Sequence, residues 1–525
     1  MSTLSLTVLL AALIRLIFVM PLGTNDELSY AHTAMRIMNG TPWISPHHFA
    51  LRTGIIVPAS FFMWVFGVSK VALFLWPFLC SIASVVLIFF CANKYFRDEN
   101  TALLASLLYA FVPLSVIVST TLTPEPVLEF FSLVSFLFYL IAKENAGESG
   151  LVKRYGAFVL CGISIGFGYL AKEPMILILG VFGIFGLIDS WQAKRILWEY
   201  TLIVFGFAVI FAGEQIFYFV HTDIWFYRLT AVGSDVKTML KHVELERNVS
   251  LPNQYIRHMF FAIHQTGLFF YVFVVSVVYL FLNHKMSLRL FAWFLVPYLY
   301  LQFGSGSLTE YLPLPKLAKY LSFMNPPVLL VISRFLFCLK KPVKGFIVII
   351  LLLSSLGSAA FCKEFYKNTT STVAERIVPL IADQPAGKFY SDPRLKPALE
   401  FLLGVEGGDR FIPYAGLNYR TWEKKEISFH PQKGDWVIIG KEEYFRPHKG
   451  AALDYPFEVH NPPAHWALKE TIELTPGLSM IFVAEAVSFI EKNHLLPTTF
   501  IEKIGGTMRR LTEKKSIVIY EVTQR

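Results

Sequence analysis

Apolar stretches of about twenty residues recur from the start of the chain to about Phe361 and then stop. A helix needs about twenty such residues to cross roughly 30 Å of hydrocarbon. In lipid, only helices and closed barrels can satisfy their own backbone groups. The chain therefore reads as a polytopic α-helical membrane protein followed by a different kind of sequence. Composition agrees, with 54% hydrophobic and only 16% charged residues, where a soluble domain carries roughly a quarter charged. Spans are expected at Leu4 to Leu22, Val71 to Ala92, Thr101 to Thr121, Pro126 to Ala142, Tyr155 to Leu170, Pro174 to Asp189, Glu199 to Val220, Phe261 to Leu282, Leu288 to Phe303, Tyr320 to Cys338 and Val343 to Phe361. These are eleven; Gly54 to Gly67, about fifteen residues with Pro58 inside, falls short of the usual length and is a possible twelfth.

The charges orient the spans. With Gly54 to Gly67 in the interface, alternate loops contain Lys94/Arg97, Lys143/Lys153/Arg154, Lys194/Arg195, Lys285/Arg289 and Lys340/Lys341/Lys344. By the positive-inside rule these loops are cytoplasmic, so the amino terminus is expected inside and the tail outside. The net charge of +9 belongs to this pattern, which argues against nucleic acid as a partner. The five cysteines lie in apolar runs or at their edges and form neither a disulfide framework nor a zinc spacing. The first run has no basic leader or A-x-A-like cleavage site and is expected to be retained.

Residues 1–361 are thus read as the membrane part and 362–525 as a soluble extracytoplasmic domain. In the latter, strand-like "DWVIIG", "SMIFVAEA" and "SIVIYEV" alternate with helix-like "PRLKPALEFLLG" and "EAVSFIEKNHLL", which predicts a small α/β domain.

Several charged residues fall at the expected outer ends of spans. In "GTNDELSYAHTAMRIMNG", Asp26 and Glu27 head a short helix that ends at Gly40; Asp26 reads equally as an N-cap or as an active-site acid. Leu28, Ala31, Met35 and Met38 form a stripe that would let this helix lie along the membrane surface. Glu125, between two prolines, either starts a helix or serves a site. Lys172, before Glu173 and Pro174, and Lys316 and Lys319, before the tenth span, either snorkel to headgroups or meet an anion. Arg15, midway along the first span, has to face the bundle interior or water. The long loop from His221 to Met259 is a connector or a functional segment. No Walker-type loop, H-E-x-x-H pair or G-x-S-x-G elbow occurs. Asn39, Asn248 and Asn368 open glycosylation sequons.

The stretches "NDELSYAHTAMRIMNGTPWISPH", "KYFRDENTALLASLLYAFVPLSVIVSTTLTPEPVLEFF", "GISIGFGYLAKEPMILIL" and "LPKLAKYLSFMNPPVLL" together resemble the GT-C superfamily of membrane glycosyltransferases. The resemblance is to the branch of lipid A aminoarabinose transferases and, more distantly, protein O-mannosyltransferases. It implies a GT-C-like fold of about 11 to 13 spans and a sugar donor linked to polyprenyl phosphate, undecaprenyl or dolichyl. It further implies that Asp26 is the essential carboxylate, with Glu27 beside it, and that Glu125 before Pro126 is a second acid. Lys172 and Lys316 or Lys319 would meet the donor phosphate. Tyr255, Arg257 and His258 in the long loop are acceptor-side candidates. "HHFALRTGIIVPAS" lacks the acid often found there in the family, so no metal ligand is assigned, although a divalent metal stays open.

The expected reaction is inverting transfer of a hexosyl or pentosyl group to a glycolipid, polysaccharide or protein acceptor outside the cytoplasm of a plasma or inner membrane. A secondary transporter or lipid-linked sugar flippase is the alternative, though no matching halves are seen. A catalytically dead receptor with a folded tail is a third reading.

Overall fold

The computed structural model describes residues 3–23, 26–144, 151–243, 254–305, 311, 314, 316–366, 370–382, 387–393, 395–404, 410–414, 416–417, 424–425, 429–440, 456–474, 481, 485, 488 and 515–523. The chain forms two compact units. The first comprises Met1–Val19, Thr33–Gly67 and Val71–Ala359; the second comprises Met20–His32, Val68–Lys70 and Ala360–Arg525.

The helices are α1 (Thr3–Ile17), α2 (Asp26–Met38), α3 (Thr53–Phe66), α4 (Lys70–Phe96), α5 (Glu99–Phe111), α6 (Pro113–Val118), α7 (Glu125–Glu144), α8 (Leu151–Ala171) and α9 (Leu177–Ala193). They continue as α10 (Thr201–Thr222), α11 (Tyr227–Val243), α12 (Gln254–Phe261), α13 (Ile263–Thr266), α14 (Phe269–Leu282), α15 (Leu288–Phe303), α16 (Asn325–Phe337), α17 (Lys341–Tyr366), α18 (Thr370–Ile381), α19 (Lys396–Leu402) and α20 (Phe457–His460). Among the described residues, seven helical stretches are long and apolar enough to cross a bilayer: Lys70–Phe96, Glu125–Glu144, Leu151–Ala171, Glu173–Ala193, Trp198–Thr222, Ala318–Phe337 and Lys341–Glu364. The first, eighth and ninth expected spans are the apolar but shorter α1, α14 and α15, of 14 to 16 residues, or roughly 21–24 Å. The doubtful Gly54–Gly67 segment is the 14-residue α3.

The third expected span is not one helix. Pro113 has no N–H to donate and disfavours helical geometry at Val112. Val112 turns extended (φ −53°, ψ 120°), so the helix stops at Phe111 and restarts as α6. This leaves carbonyls without helical donors. Arg15 Nη1 donates to Ala110 O at 3.0 Å, and the Ser355 hydroxyl donates to Phe111 O. Arg15 also donates to Ser81 Oγ at 2.9 Å and is fully buried. The bundle interior is where it sits.

Close packing in the first unit relies on missing side chains. A Cβ on Gly162 of α8 would stand 1.9 Å from Ile203 O, and one on Gly206 of α10 would stand 2.2 Å from Val159 O. These glycines let α8 and α10 touch backbone to backbone, as small residues do between membrane helices. Aromatic packing fills the adjoining core, with Phe136 and Trp293 centroids 4.5 Å apart. Trp293 Nε1 donates to Ser132 at 3.2 Å.

The helix beginning at Asp26 corrects one expectation. Of the stripe Leu28, Ala31, Met35 and Met38, the first three are buried and Met38 is half-buried, so most of it is a packing face within the protein and not a face laid on the membrane. In the second unit, His32 Nε2 and Pro397 O are 3.0 Å apart, tying this helix to the start of α19. The strands there are β1 (Phe389–Ser391), β2 (Phe411–Pro413), β3 (Gly416–Leu417), β4 (Lys424–Lys425), β5 (Trp436–Gly440), β6 (Trp466–Leu474) and β7 (Lys515–Val522). A mixed sheet has the order β2-β1-β5-β7-β6, with β1 parallel to both neighbours and β7 antiparallel to both of its own. Tyr390, Tyr414, Val437, Trp466 and Val522 pack as one cluster. "DWVIIG" and "SIVIYEV" are strands and "PRLKPALEFLLG" contains a helix, as expected. In "SMIFVAEA", expected as a strand, the described Ile481 and Glu485 are helical. Apolar runs of that length fit either state, since periodicity alone does not separate them.

Candidate functional site

Glu125 occupies the first turn of α7 and is buried. Lys172 follows the last residue of α8 in extended backbone (φ −164°, ψ 140°). Its Nζ donates to Glu125 Oε1 at 2.7 Å, and it stands 3.7 Å from the centroid of Tyr320. Tyr320 lies in the 3₁₀ run Ala318–Met324 that leads into α16. Lys319 Nζ is 6.0 Å from the same ring. Two elements distant in sequence thus deliver an acid and a cation to one place, and a third supplies the aromatic floor. Among the described residues, Glu125 Oε2 is buried without a hydrogen-bond donor. The pair therefore retains hydrogen-bonding capacity in a setting where electrostatic interactions are strong.

Lys316 is 3% exposed, and burial lowers its pKa. Its carbonyl lies 2.9 Å from His258 Nε2. Tyr255, on the same α12, is fully buried, with its ring 6.3 Å from that of His258. Arg257 is exposed. So His258 and Lys316 meet, whereas Arg257 turns away from them to the surface. The long loop is not a plain connector: its described parts are α11 and α12, and residues 244–253, with the Asn248 sequon, lie outside the described residues, as does the Asn368 sequon.

Asp26 and Glu27 open α2. Glu27 is buried and accepts from the Gly23 N–H. The carboxylate beside Asp26 is thus bonded to the backbone of Gly23.

Residues passed over in the sequence form a second ionic cluster. Arg228 of α11 is fully buried. It donates to Glu173 Oε1 at 2.9 Å through Nε, to Glu214 Oε1 at 2.7 Å, and to Tyr169 O at 2.9 Å. Arg52 holds the other Glu173 oxygen at 3.1 Å. Glu214 carried a signal, an acid inside an apolar run, which demands buried polar or charged partners. Glu129, one turn beyond Glu125, is another such acid; it accepts from Tyr109, from Ser115 at 2.8 Å and from Asn325 at 3.4 Å. Also on α11, Asp235 accepts from the His48 N–H at 2.9 Å and lies 2.6 Å from His48 Nδ1. Among the described residues, no group of three His, Cys, Asp or Glu side chains gathers to hold a metal ion.

Residues 58–213 match the family described as dolichyl-phosphate-mannose-protein mannosyltransferase. The undecaprenyl phosphate-α-4-amino-4-deoxy-L-arabinose arabinosyl transferases of Yersinia enterocolitica and Yersinia pestis are 23% and 25% identical over 209 residues. That match covers 38% of this chain and 36% of each relative. Among solved structures, ArnT from Cupriavidus metallidurans in the apo state aligns with TM-score 0.58 at 13% identity, covering 84% of this chain and 93% of that one. The apo oligosaccharyltransferase of Archaeoglobus fulgidus aligns with TM-score 0.58 at 11% identity, covering 99% and 88%. A second ArnT structure, bound to undecaprenyl phosphate, aligns at 0.56.

Proposed function

We propose that this chain, a relative of the aminoarabinose transferases and protein mannosyltransferases of the GT-C superfamily, is a membrane glycosyltransferase that takes its sugar from a polyprenyl phosphate. Residues 1–361 would carry catalysis, on the extracytoplasmic side of a plasma or inner membrane; residues 362–525 would form an appended soluble domain. The observation that carries the reading is the buried Glu125–Lys172 pair over Tyr320, beside the run that holds Lys316 and Lys319. A cation fixed in a water-poor setting suits a departing phosphate, whose charge grows as the glycosidic bond breaks. The known activities of the matched family and relatives favour transfer over transport.

In the proposed step an acceptor hydroxyl or amine attacks the anomeric carbon, and its proton passes to Asp26. The bond from that carbon to the phosphate oxygen breaks, the electron pair leaves with the lipid phosphate, and a single displacement inverts the configuration. Glu125 keeps Lys172 charged and aimed, and Lys316 or Lys319 completes the anion's surroundings. Glu27 shapes the entry to α2. His258 and Tyr255 of α12 are assigned, as part of this reading, to the acceptor side.

The test is transfer of radiolabelled sugar from polyprenyl phosphate in membranes holding wild type or Asp26→Asn. Loss of a general base lowers the rate by about 10²- to 10⁴-fold. Full activity in Asp26→Asn overturns the assignment of the base, and solute movement without a glycosylated product overturns transferase activity.

A further inference from the structure

In extended backbone, successive side chains point to opposite sides. Lys172 is extended, so its side chain and that of Glu173 diverge: Lys172 reaches Glu125 and Tyr320, and Glu173 reaches Arg52 and Arg228. Each oxygen of Glu173 is thus held by a different guanidinium. Arg228 is itself immobilised, because it also binds Glu214 and the Tyr169 and Leu170 carbonyls at the end of α8 and lies 4.8 Å from the Tyr169 ring. Arg52 is brought in by backbone proximity. A Cβ on Gly54 would stand 2.5 Å from Ala171 N, so only glycine lets the start of α3 lie against the residue preceding Lys172.

We propose that Arg52, Glu173 and Arg228 form a clamp whose purpose is to aim Lys172. They are positioning residues, and the inference that aiming matters for lipid-phosphate binding rests on the function proposed above. The cluster of Arg52, Arg228, Glu173 and Glu214 carries two positive and two negative charges, so it adds little net field at Lys172. What it supplies is geometry: the turn is fixed from both sides, and the lysine has one direction in which to extend. The nine-tenths-buried guanidiniums also explain how α11, far along the chain, is coupled to the turn.

The test reads the clamp without needing the sugar or acceptor. Full-length protein in nanodiscs is exposed briefly to an amine-reactive reagent, and modification of each lysine is measured by peptide mass spectrometry. In wild type the buried Lys172 labels slowly. Glu173→Gln is expected to raise Lys172 labelling at least fivefold while other lysines stay within twofold, and to weaken binding of radiolabelled undecaprenyl phosphate. Adding Glu173→Gln to Lys172→Ala is expected to weaken binding no further, since coupled residues are not additive. If Glu173→Gln does not give monodisperse protein, Arg52→Lys removes one arm of the clamp while keeping its charge, and is expected to raise Lys172 labelling at least twofold. Unchanged labelling in the folded variant overturns the clamp, as does an equal loss of binding in the presence and absence of Lys172. Raised labelling with undiminished lipid binding supports the clamp and overturns the phosphate role of Lys172, so the two readings fail separately.

Discussion

Two buried carboxylates, Glu173 next to Lys172 in the sequence and Glu125 paired with Lys172 in space, differ in how completely they are held. Glu173 has a guanidinium on each oxygen, and Arg228 spends its donors on two carboxylates and two carbonyls. Glu125 has one oxygen on Lys172 and the other, among the described residues, without a donor. A carboxylate held on both oxygens fixes the chain in place; one held on a single oxygen can still receive a donor. The energetic logic follows, since a buried charge that loses its partner is costly whereas a pair neutralised together is not.

The double variant Lys172→Met/Glu125→Gln tests this difference most severely. Removing both charges is expected to leave the thermal midpoint in detergent nearly unchanged, while sugar transfer falls by about 10²- to 10³-fold. A variant that unfolds would place the pair with the structural cluster. Arg228→Met should do the reverse first: it leaves Glu173 and Glu214 short of their cation and is expected to destabilise the fold by about 3–5 kcal/mol, read as early unfolding by fluorescence-detected size exclusion. Glu214→Gln should cost less, about 1–3 kcal/mol, because Glu173 still holds Arg228; a loss equal to that of Arg228→Met would show that the two carboxylates do not share the load.

The smallest effect is at His48 and Asp235. Burial, reinforced by Arg52, holds the His48 pKa below its ordinary 6.5. Burial alone would raise the Asp235 pKa, but hydrogen bonds from His48 hold it below 3.8. Both groups bind fewer protons folded than unfolded. The His48 contribution is therefore complete above about pH 6.5 and declines as pH falls through the folded value, with the Asp235 contribution following below about pH 3.8. Hydrogen exchange of α11, corrected for intrinsic rate, should quicken between pH 7.5 and 5.5 in wild type and lose that dependence in His48→Asn.

Much of the membrane part was legible because apolar length is a local property. Seven long helices, the helix from Asp26 and the position of Glu125 at a helix start all follow from runs, prolines and capping types. Pairings were less legible. Nothing local to Lys172 names Glu125 as its partner, and Arg228 sits in an unremarkable "WFYRLT". Glu214 and Glu129 did carry the signal of an acid in an apolar run, and reading it would have demanded their partners. The interruption at Pro113 was visible too, but a span boundary drawn on hydropathy passes over a residue that is itself apolar. In the tail, β6 was missed because "WALKETIEL" alternates charges that suit a helix surface as well as a strand with one wet face.

The Pro113 interruption also explains an oddity a hundred residues away. Arg15 looks misplaced in the first apolar run until it is seen donating to Ala110 O, and Ser355 in the last run answers Phe111 O. Each of these polar side chains complements a break in someone else's backbone. The order of packing then matters: until α5 and α6 lie against it, Arg15 has only the Ala11 carbonyl of its own helix and the Ser81 hydroxyl to meet, so α1 carries a poorly satisfied charge by itself and is completed only when its neighbours arrive.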